Sequence, residues 1–353
     1  KWGYTYGSFH LMAVSMIGRT VSRFSELDGL DLLIFNRLLL SAAFLLTGWV
    51  VYAAGRRIFG SALIGFFAAF LLLTNTGVVQ IVTLSNYPDT FHMLFLTLSV
   101  VFTALMLGEF RPRRAFLAVL FMGLGFSVKY MGLPLVPIIG AAFLWKLFKS
   151  RVACQPGKKA VDFALFAVCA AVALLLGFFI VNPYYAIHYD RFISQMSLTV
   201  RLYANPVYFY YTPAGFVNIP GIKEWWMQAL FAGNFDAIVY GCVFFSIVLL
   251  AMGLAFRRGG PYAYANLFFA VAFPFIVLWV LFVIWRSKFA GFHYLMPAIP
   301  SAYLMAAAAP FYLSRLVPSQ PLRRAALAVF GLAVVAPFIL PFVNDINYMA
   351  KGK

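Results

Sequence analysis

Asp89 and His92 stand three residues apart in SNYPDTFH, a spacing that puts both on one face of a helix. A carboxylate and an imidazole so placed can orient a hydroxyl, share a proton or form one edge of a metal site. Two ligands do not complete a metal centre, so no metal and no other cofactor is read from them. Pro88 also makes Asp89 a candidate helix cap. Lys129, in FSVKYMGLP, is equally conspicuous, because the run from Ala115 to Phe148 carries no other charge before Lys146. Such a lysine either snorkels to headgroups or holds a lipid-linked phosphate as a fixed cation. Arg286, Lys288 and His293 fall together in WRSKFAGFHY, and Arg37 lies just inside the apolar run that follows Asp31. Arg37 suits either a phosphate or pairing with a nearby carboxylate.

The elements that must position these residues are membrane helices. Hydrophobic residues make up 64% of the 353 and charged residues 10%, and the mean hydropathy is +0.90. That is more apolar surface than a soluble core can bury. Runs long enough to span a hydrocarbon layer fall at about ten places: residues 32–54, 61–82, 89–108, 115–128, 131–148, 161–181, 237–256, 264–285, 292–314 and 323–343. The expected fold is an all-α polytopic membrane protein, one transmembrane domain over residues 1–353. Within it, residues 1–31 form an outer-surface helix and loop, 183–235 a long outer loop, and 323–353 the last crossing and outer tail.

Alternate connections collect the basic residues: Arg56 and Arg57, then Arg111, Arg113 and Arg114, then Lys146, Lys149, Arg151, Lys158 and Lys159, then Arg257 and Arg258, then Arg315, Arg323 and Arg324. By the positive-inside rule these connections are cytoplasmic. A single helix through 115–148 would bury Lys129 near the bilayer centre, at a cost of ~2.5–3.5 kcal/mol, and would break this alternation. Two short crossings, turning near Gly125, Gly132 and Pro134, place Lys129 in a tight turn at the outer face. The same parity makes residues 6–24 a surface helix. It sends Glu26, Asp28, Asp31, Asp89, Asp190, Glu224 and Asp345 outward, with Asp236 at the edge, and leaves Glu109 and Asp162 inside.

The formal charge of +17 is explained by this topology, and no nucleic-acid-binding pattern accompanies it. Cys154, Cys169 and Cys242 are too dispersed for a disulfide framework or a metal quartet. Nothing in the chain matches a phosphate-binding P-loop, a dinucleotide fingerprint, HExxH or a nucleophile elbow, which disfavours cytoplasmic nucleotide chemistry. Residues 183–235 are rich in Tyr, Phe and Trp. They suit either an interfacial aromatic belt or a wall for sugar and prenyl groups, with an amphipathic helix near residues 192–203.

In order and spacing, YTYGSFHLMAV, FNRLLLSAAFLLTGWVVYAAGRRIFG, NYPDTFHMLFLTLSV, FMGLGFSVKYMGLPLVP, FFIVNPYY and FHYLMPAIPSAYLMAAA resemble the polyprenyl-phosphate-sugar glycosyltransferases of the GT-C type. These are the dolichyl-phosphate-mannose protein mannosyltransferases and aminoarabinose transferases. The resemblance implies a GT-C-like helical bundle. It also implies transfer of a hexosyl or pentosyl group, usually with inversion, from a polyprenyl-phosphate donor to a lipid, glycan or protein acceptor. The setting implied is a bacterial or archaeal plasma (inner) membrane, with membrane lipids as neighbours and the site facing the periplasm or exterior. Lys129, Arg286, Lys288 and His293 would bind the donor phosphate, while Asp89, His92, Arg37 and Tyr6 would serve the acceptor or support those groups. The family's catalytic carboxylate precedes the stretch matching Tyr4 to Val14. It is expected upstream of Lys1, where the chain looks N-terminally truncated. WGYTYGSF lacks the Pro-Pro common in the family, and His293-Tyr294 stands where Arg-Tyr is usual. The rival function is a transporter or lipid flippase without covalent chemistry, which predicts inverted repeats and midplane charges. A non-catalytic relative is the third.

Overall fold

The computed structural model describes residues 29–84, 88–129, 134–149, 156–180, 263–286 and 296–313, with scattered positions elsewhere. Its helices are α1 (Gly29–Ile58), α2 (Ala62–Thr74), α3 (Thr76–Leu84), α4 (Asp89–Gly108), α5 (Pro112–Val128) and α6 (Leu135–Lys149). They are followed by α7 (Pro156–Leu174), which runs on as a π-helical stretch (Leu175–Ile180), by α8 (Ala263–Arg286), and by α9 (Ile299–Leu313), entered through a 3₁₀ turn at Met296–Ala298. Among the described residues there is no strand. The expected crossing at 237–256 lies outside them, and 323–343 shows only scattered helical positions.

Lipid is the solvent of this bundle, and the side chains show it. Leu38, Leu45, Leu46 and Trp49 of α1 and Val161, Phe163, Leu165 and Val168 of α7 all point outward. A soluble protein would not leave such a belt bare. Among the described residues, three helices are long and apolar enough to cross a membrane, namely Leu33–Ile58, Asp89–Gly108 and Ala160–Phe178. The protein is an integral membrane protein. α4 is its axis, buried along nearly its whole length and packed against α1, α5, α6, α8, the 3₁₀ turn and the start of α9.

Small residues set the helix spacing, because lipid-embedded helices associate through close packing and not through a hydrophobic effect. Gly55 of α1 faces Gly65 of α2, and a Cβ on either would fall within the backbone of the other helix. The turn between them uses Gly60 at φ 66°, a left-handed conformation that glycine adopts without strain. Ser61 then caps α2, its hydroxyl accepting from the Ile64 N–H at 3.4 Å. Gly177, in the π-helical stretch after α7, lets that segment approach the α5 backbone at Leu120 and Gly123. Across α4 and α5, the Ser99 hydroxyl donates to the Ala118 carbonyl at 2.7 Å.

The run expected as one crossing at 61–82 is two helices, broken at Asn75. Asn75 takes extended backbone (ψ 107°), and its amide satisfies the groups the break frees. Its Oδ1 accepts from the Val78 N–H at 2.9 Å, starting α3, while its Nδ2 donates to the Tyr303 hydroxyl of α9 at 2.6 Å. A helix can break at membrane depth when a side chain takes over the backbone's bonds in this way. The break expected near Lys129 is present: α5 ends at Val128 and α6 begins at Leu135.

Candidate functional site

Antiparallel helices joined by a tight turn bring the start of one beside the end of the next. α4 and α5 are such a pair, so Asp89, in the first turn of α4, meets Lys129, the C-cap of α5. The Lys129 Nζ donates to Asp89 Oδ1 at 2.6 Å. Both side chains are buried, with 6% of Lys129 and 1% of Asp89 exposed. The lysine expected in a surface turn is therefore folded inward. The capping reading of Asp89 also fails, since Pro88 holds the N-cap position and the Asp89 carboxylate is turned to the ammonium. A buried carboxylate satisfies more of its charge against an ammonium than against a neutral N–H.

The polar surroundings of this pair are incompletely bonded. Asp89 Oδ2, Thr90 Oγ1 and both ring nitrogens of His92 are buried without a hydrogen-bond partner among the described residues. Unbonded buried polar atoms are costly and uncommon, and four within one helical turn single this place out as the candidate site. The His92 ring lies 5.5 Å from that of Trp279 in α8, itself 5.6 Å from Phe275. The 3₁₀ turn closes over α4 with buried Met296, Pro297 and Ala298. Behind the pair, Ala43, Val50, Leu94, Phe95 and Val128 form a small apolar cluster. Among the described residues, no three His, Cys, Asp or Glu side chains converge as a metal site.

Of the residues expected from the sequence, Asp89, His92 and Lys129 come together. Arg37 lies on the exposed face of α1 and makes no ion pair with a described residue. Arg286 closes α8. Tyr6, Lys288 and His293 lie outside the described residues, as does the outer-surface helix at 6–24 apart from helical Gly18 and Thr20. Sequence reasoning missed Thr90 and Trp279, whose residue types carry no signal inside an apolar helix. It also missed the Asp89–Lys129 pairing, although the parity of consecutive helices contained it.

The opposite end of the bundle is basic. Arg56 and Arg57 close α1, Arg111, Arg113 and Arg114 stand at the α4–α5 turn, and the Lys146 Nζ donates to the Gly108 carbonyl at 3.0 Å. Arg114 donates to the carbonyls of Leu105 at 2.9 Å and Glu109 at 3.0 Å, covering the negative end of the α4 dipole. Glu109 bonds Arg111 at 2.6 Å and Arg114 at 3.1 Å. The hydrogen bond from Arg111, helped by the charges of Arg111 and Arg114, outweighs a partial desolvation and holds the Glu109 carboxyl below the usual range.

Residues 34–184 match the family described as dolichyl-phosphate-mannose-protein mannosyltransferase. The resemblance noted in the sequence is borne out over this stretch, which contains most of α1, all of α2 through α7, and Asp89, His92 and Lys129. The fold is similar to that of a solved structure, "Crystal Structure of ArnT from Cupriavidus metallidurans in the apo state", with a TM-score of 0.53 and 16% sequence identity. The similarity covers 95% of this chain and 53% of that one, so the chain spans about half the length of that protein. The GT-C-like helical membrane fold expected from the sequence is thus the fold observed. No curated protein matches the chain.

Proposed function

We propose that this chain is a glycosyltransferase that moves a sugar from a polyprenyl-phosphate donor to a lipid, glycan or protein acceptor at the Asp89 end of the bundle. The observation that carries this reading is the buried Asp89–Lys129 pair with His92 one turn away, within a stretch that matches a polyprenyl-phosphate-sugar transferase family. Ionisable groups inside a membrane bundle are expensive, and function is the usual reason for keeping them.

The chemistry assigned to these residues follows from their charge. As the acceptor hydroxyl attacks the anomeric carbon, negative charge builds on the departing polyprenyl phosphate. Lys129, with Arg286, Lys288 and His293, would stabilise it. Asp89, His92, Arg37 and Tyr6 would orient the acceptor and support those cations. Attack opposite the phosphate gives inversion, with a hexosyl or pentosyl group transferred. The gathering of Arg56, Arg57, Arg111, Arg113, Arg114 and Lys146 at the other end supports a cytoplasmic assignment for that end, and so an extracytoplasmic site in a bacterial or archaeal inner membrane. The reaction so written calls on no resident metal or cofactor.

The test is product formation in liposomes containing the full-length protein, a panel of radiolabelled polyprenyl-phosphate sugars and a membrane extract as acceptor. Sugar transfer that disappears with Lys129→Met is the expected result. Movement of intact lipid across the bilayer without transfer would overturn the reading in favour of a flippase.

A further inference from the structure

The pair poses a problem for the function just proposed, because the cation meant for the donor phosphate is already held by a carboxylate. Lys129 Nζ lies 2.6 Å from Asp89 Oδ1 with both groups out of solvent, so the bond is not weakened by water as a surface pair is. A phosphate oxygen arriving at Lys129 meets this anion first. We propose that Asp89 is a resident stand-in for the donor phosphate. It holds Lys129 in place while the site is empty, and it gives up the ammonium when the donor binds. This inference rests on the glycosyltransferase reading and adds to it a competition within the protein that sets donor affinity.

Three features of the structure fit the exchange. An ammonium cannot stay buried without an anion, so an empty site needs one from the protein. The competitor is also aimed correctly: Asp89 belongs to α4 and Lys129 to the end of α5, immediately before the residues joining α5 to α6. A small shift at that helix end separates the two without unwinding α4. Finally, the surroundings hold unused polar capacity on the carboxylate's side. Asp89 Oδ2 and the His92 nitrogens have no partner among the described residues, so a released carboxylate has His92 one turn along the same helix to turn towards. The acceptor hydroxyl finds a free carboxylate there only once the donor is in place. Donor binding is thereby made to precede acceptor binding.

Few other charges are available to replace Asp89 in this role. Among the described residues that meet this end of α4, α1 offers Asp31 and Arg37, both exposed, and α8 ends in Arg286. The first turns of α6 and α9 and the 3₁₀ turn carry no titratable side chain.

A lysine occupied by an internal anion is competent for donor only in the fraction of molecules where the pair is open, and the apparent affinity falls by that fraction. The experiment uses the full-length protein in nanodiscs with farnesyl-phosphate mannose and farnesyl-phosphate aminoarabinose as probes. Asp89→Asn removes the competing charge at nearly constant shape, and we expect it to bind one of these probes about tenfold tighter than the wild type while transferring sugar more slowly. A second measurement needs no variant. A hydrophobic carbodiimide activates the Asp89 carboxylate and lets the Lys129 amine displace the urea, leaving an amide cross-link that mass spectrometry detects. We expect the probe that binds to suppress this cross-link several-fold. Equal or weaker probe binding by Asp89→Asn overturns the exchange, and so does a cross-link yield indifferent to bound probe. Failure of the wild type to bind either probe is a different result, which overturns the proposed function and the exchange with it.

Discussion

The two ends of the α4–α5 hairpin carry the same kind of interaction in opposite settings. At one end Lys129 and Asp89 form a pair hidden from solvent, one carboxylate oxygen of which has no partner among the described residues. At the other, Glu109 and Arg111 leave 45% and 62% of their side chains exposed, and Arg114 spends its spare donors on helix carbonyls. The exposed set stabilises a helix end and is replaceable by water. The hidden pair has no such substitute, and its carboxylate depends on the ammonium. Distances of 2.6 Å at both ends therefore do not imply equal importance; burial decides it.

The sharpest way to break this contrast is to remove one member of the hidden pair. Lys129→Met leaves the Asp89 carboxylate buried and alone, and a loss of about 3–5 kcal/mol is expected. Thermal unfolding in detergent measures it, and adding Asp89→Leu to the same chain should recover most of the loss. A double variant as unstable as the single one would show that the pair is not the cause.

Next comes the helix contact near the basic end. Gly65→Ala places a methyl group against the Tyr52 carbonyl, so α1 and α2 must separate, at about 1–3 kcal/mol. A melting temperature equal to the wild type's would mean the two helices are not held this closely.

Asn75→Ala tests an intermediate setting, a buried but uncharged pair. It strands the Val78 N–H and the Tyr303 hydroxyl together, for about 1–3 kcal/mol, while Tyr303→Phe removes only one bond and should cost less. If Tyr303→Phe were the more damaging change, the Asn75 amide would not be what holds the break.

The smallest effect belongs to the exposed set. Glu109→Gln should leave the melting temperature at neutral pH almost unchanged. Its signature is in the pH dependence: the folded-state carboxyl titrates below its unfolded value, so its contribution is complete above the unfolded value. It fades as pH falls through the folded one. Melting curves of wild type and Glu109→Gln should thus converge in acid, and added salt should shrink their difference at neutral pH. A pH-independent difference would contradict this.

Much of the architecture was legible before any coordinates. The positions of α1, α4, α7 and α8 follow from unbroken apolar runs, because a chain in lipid must satisfy its backbone within each segment. The helix end at Lys129 was legible too, from Gly and Pro beside a charge that one long helix could not tolerate. The break at Asn75 was not. Its partner Tyr303 is 228 residues away, and an asparagine between threonines reads the same whether its amide faces lipid or another helix. The candidate site divides in the same way. Asp89, His92 and Lys129 stood out as polar residues in apolar surroundings, but their types could not say which of them would bond.

By itself, the sequence determined that the chain lives in a membrane, where most helices lie, and which few polar residues carry a cost that function must justify. Those are properties of composition and of runs along the chain, and transfer energies act on them residue by residue. Only the tertiary structure decided that Lys129 turns inward to Asp89, that His92 is buried beside Trp279, and that Asn75 and Tyr303 hold a helix break between them. These are contacts between segments, set by how closely helices pack, and a difference of an ångström there separates an ion pair from a buried charge.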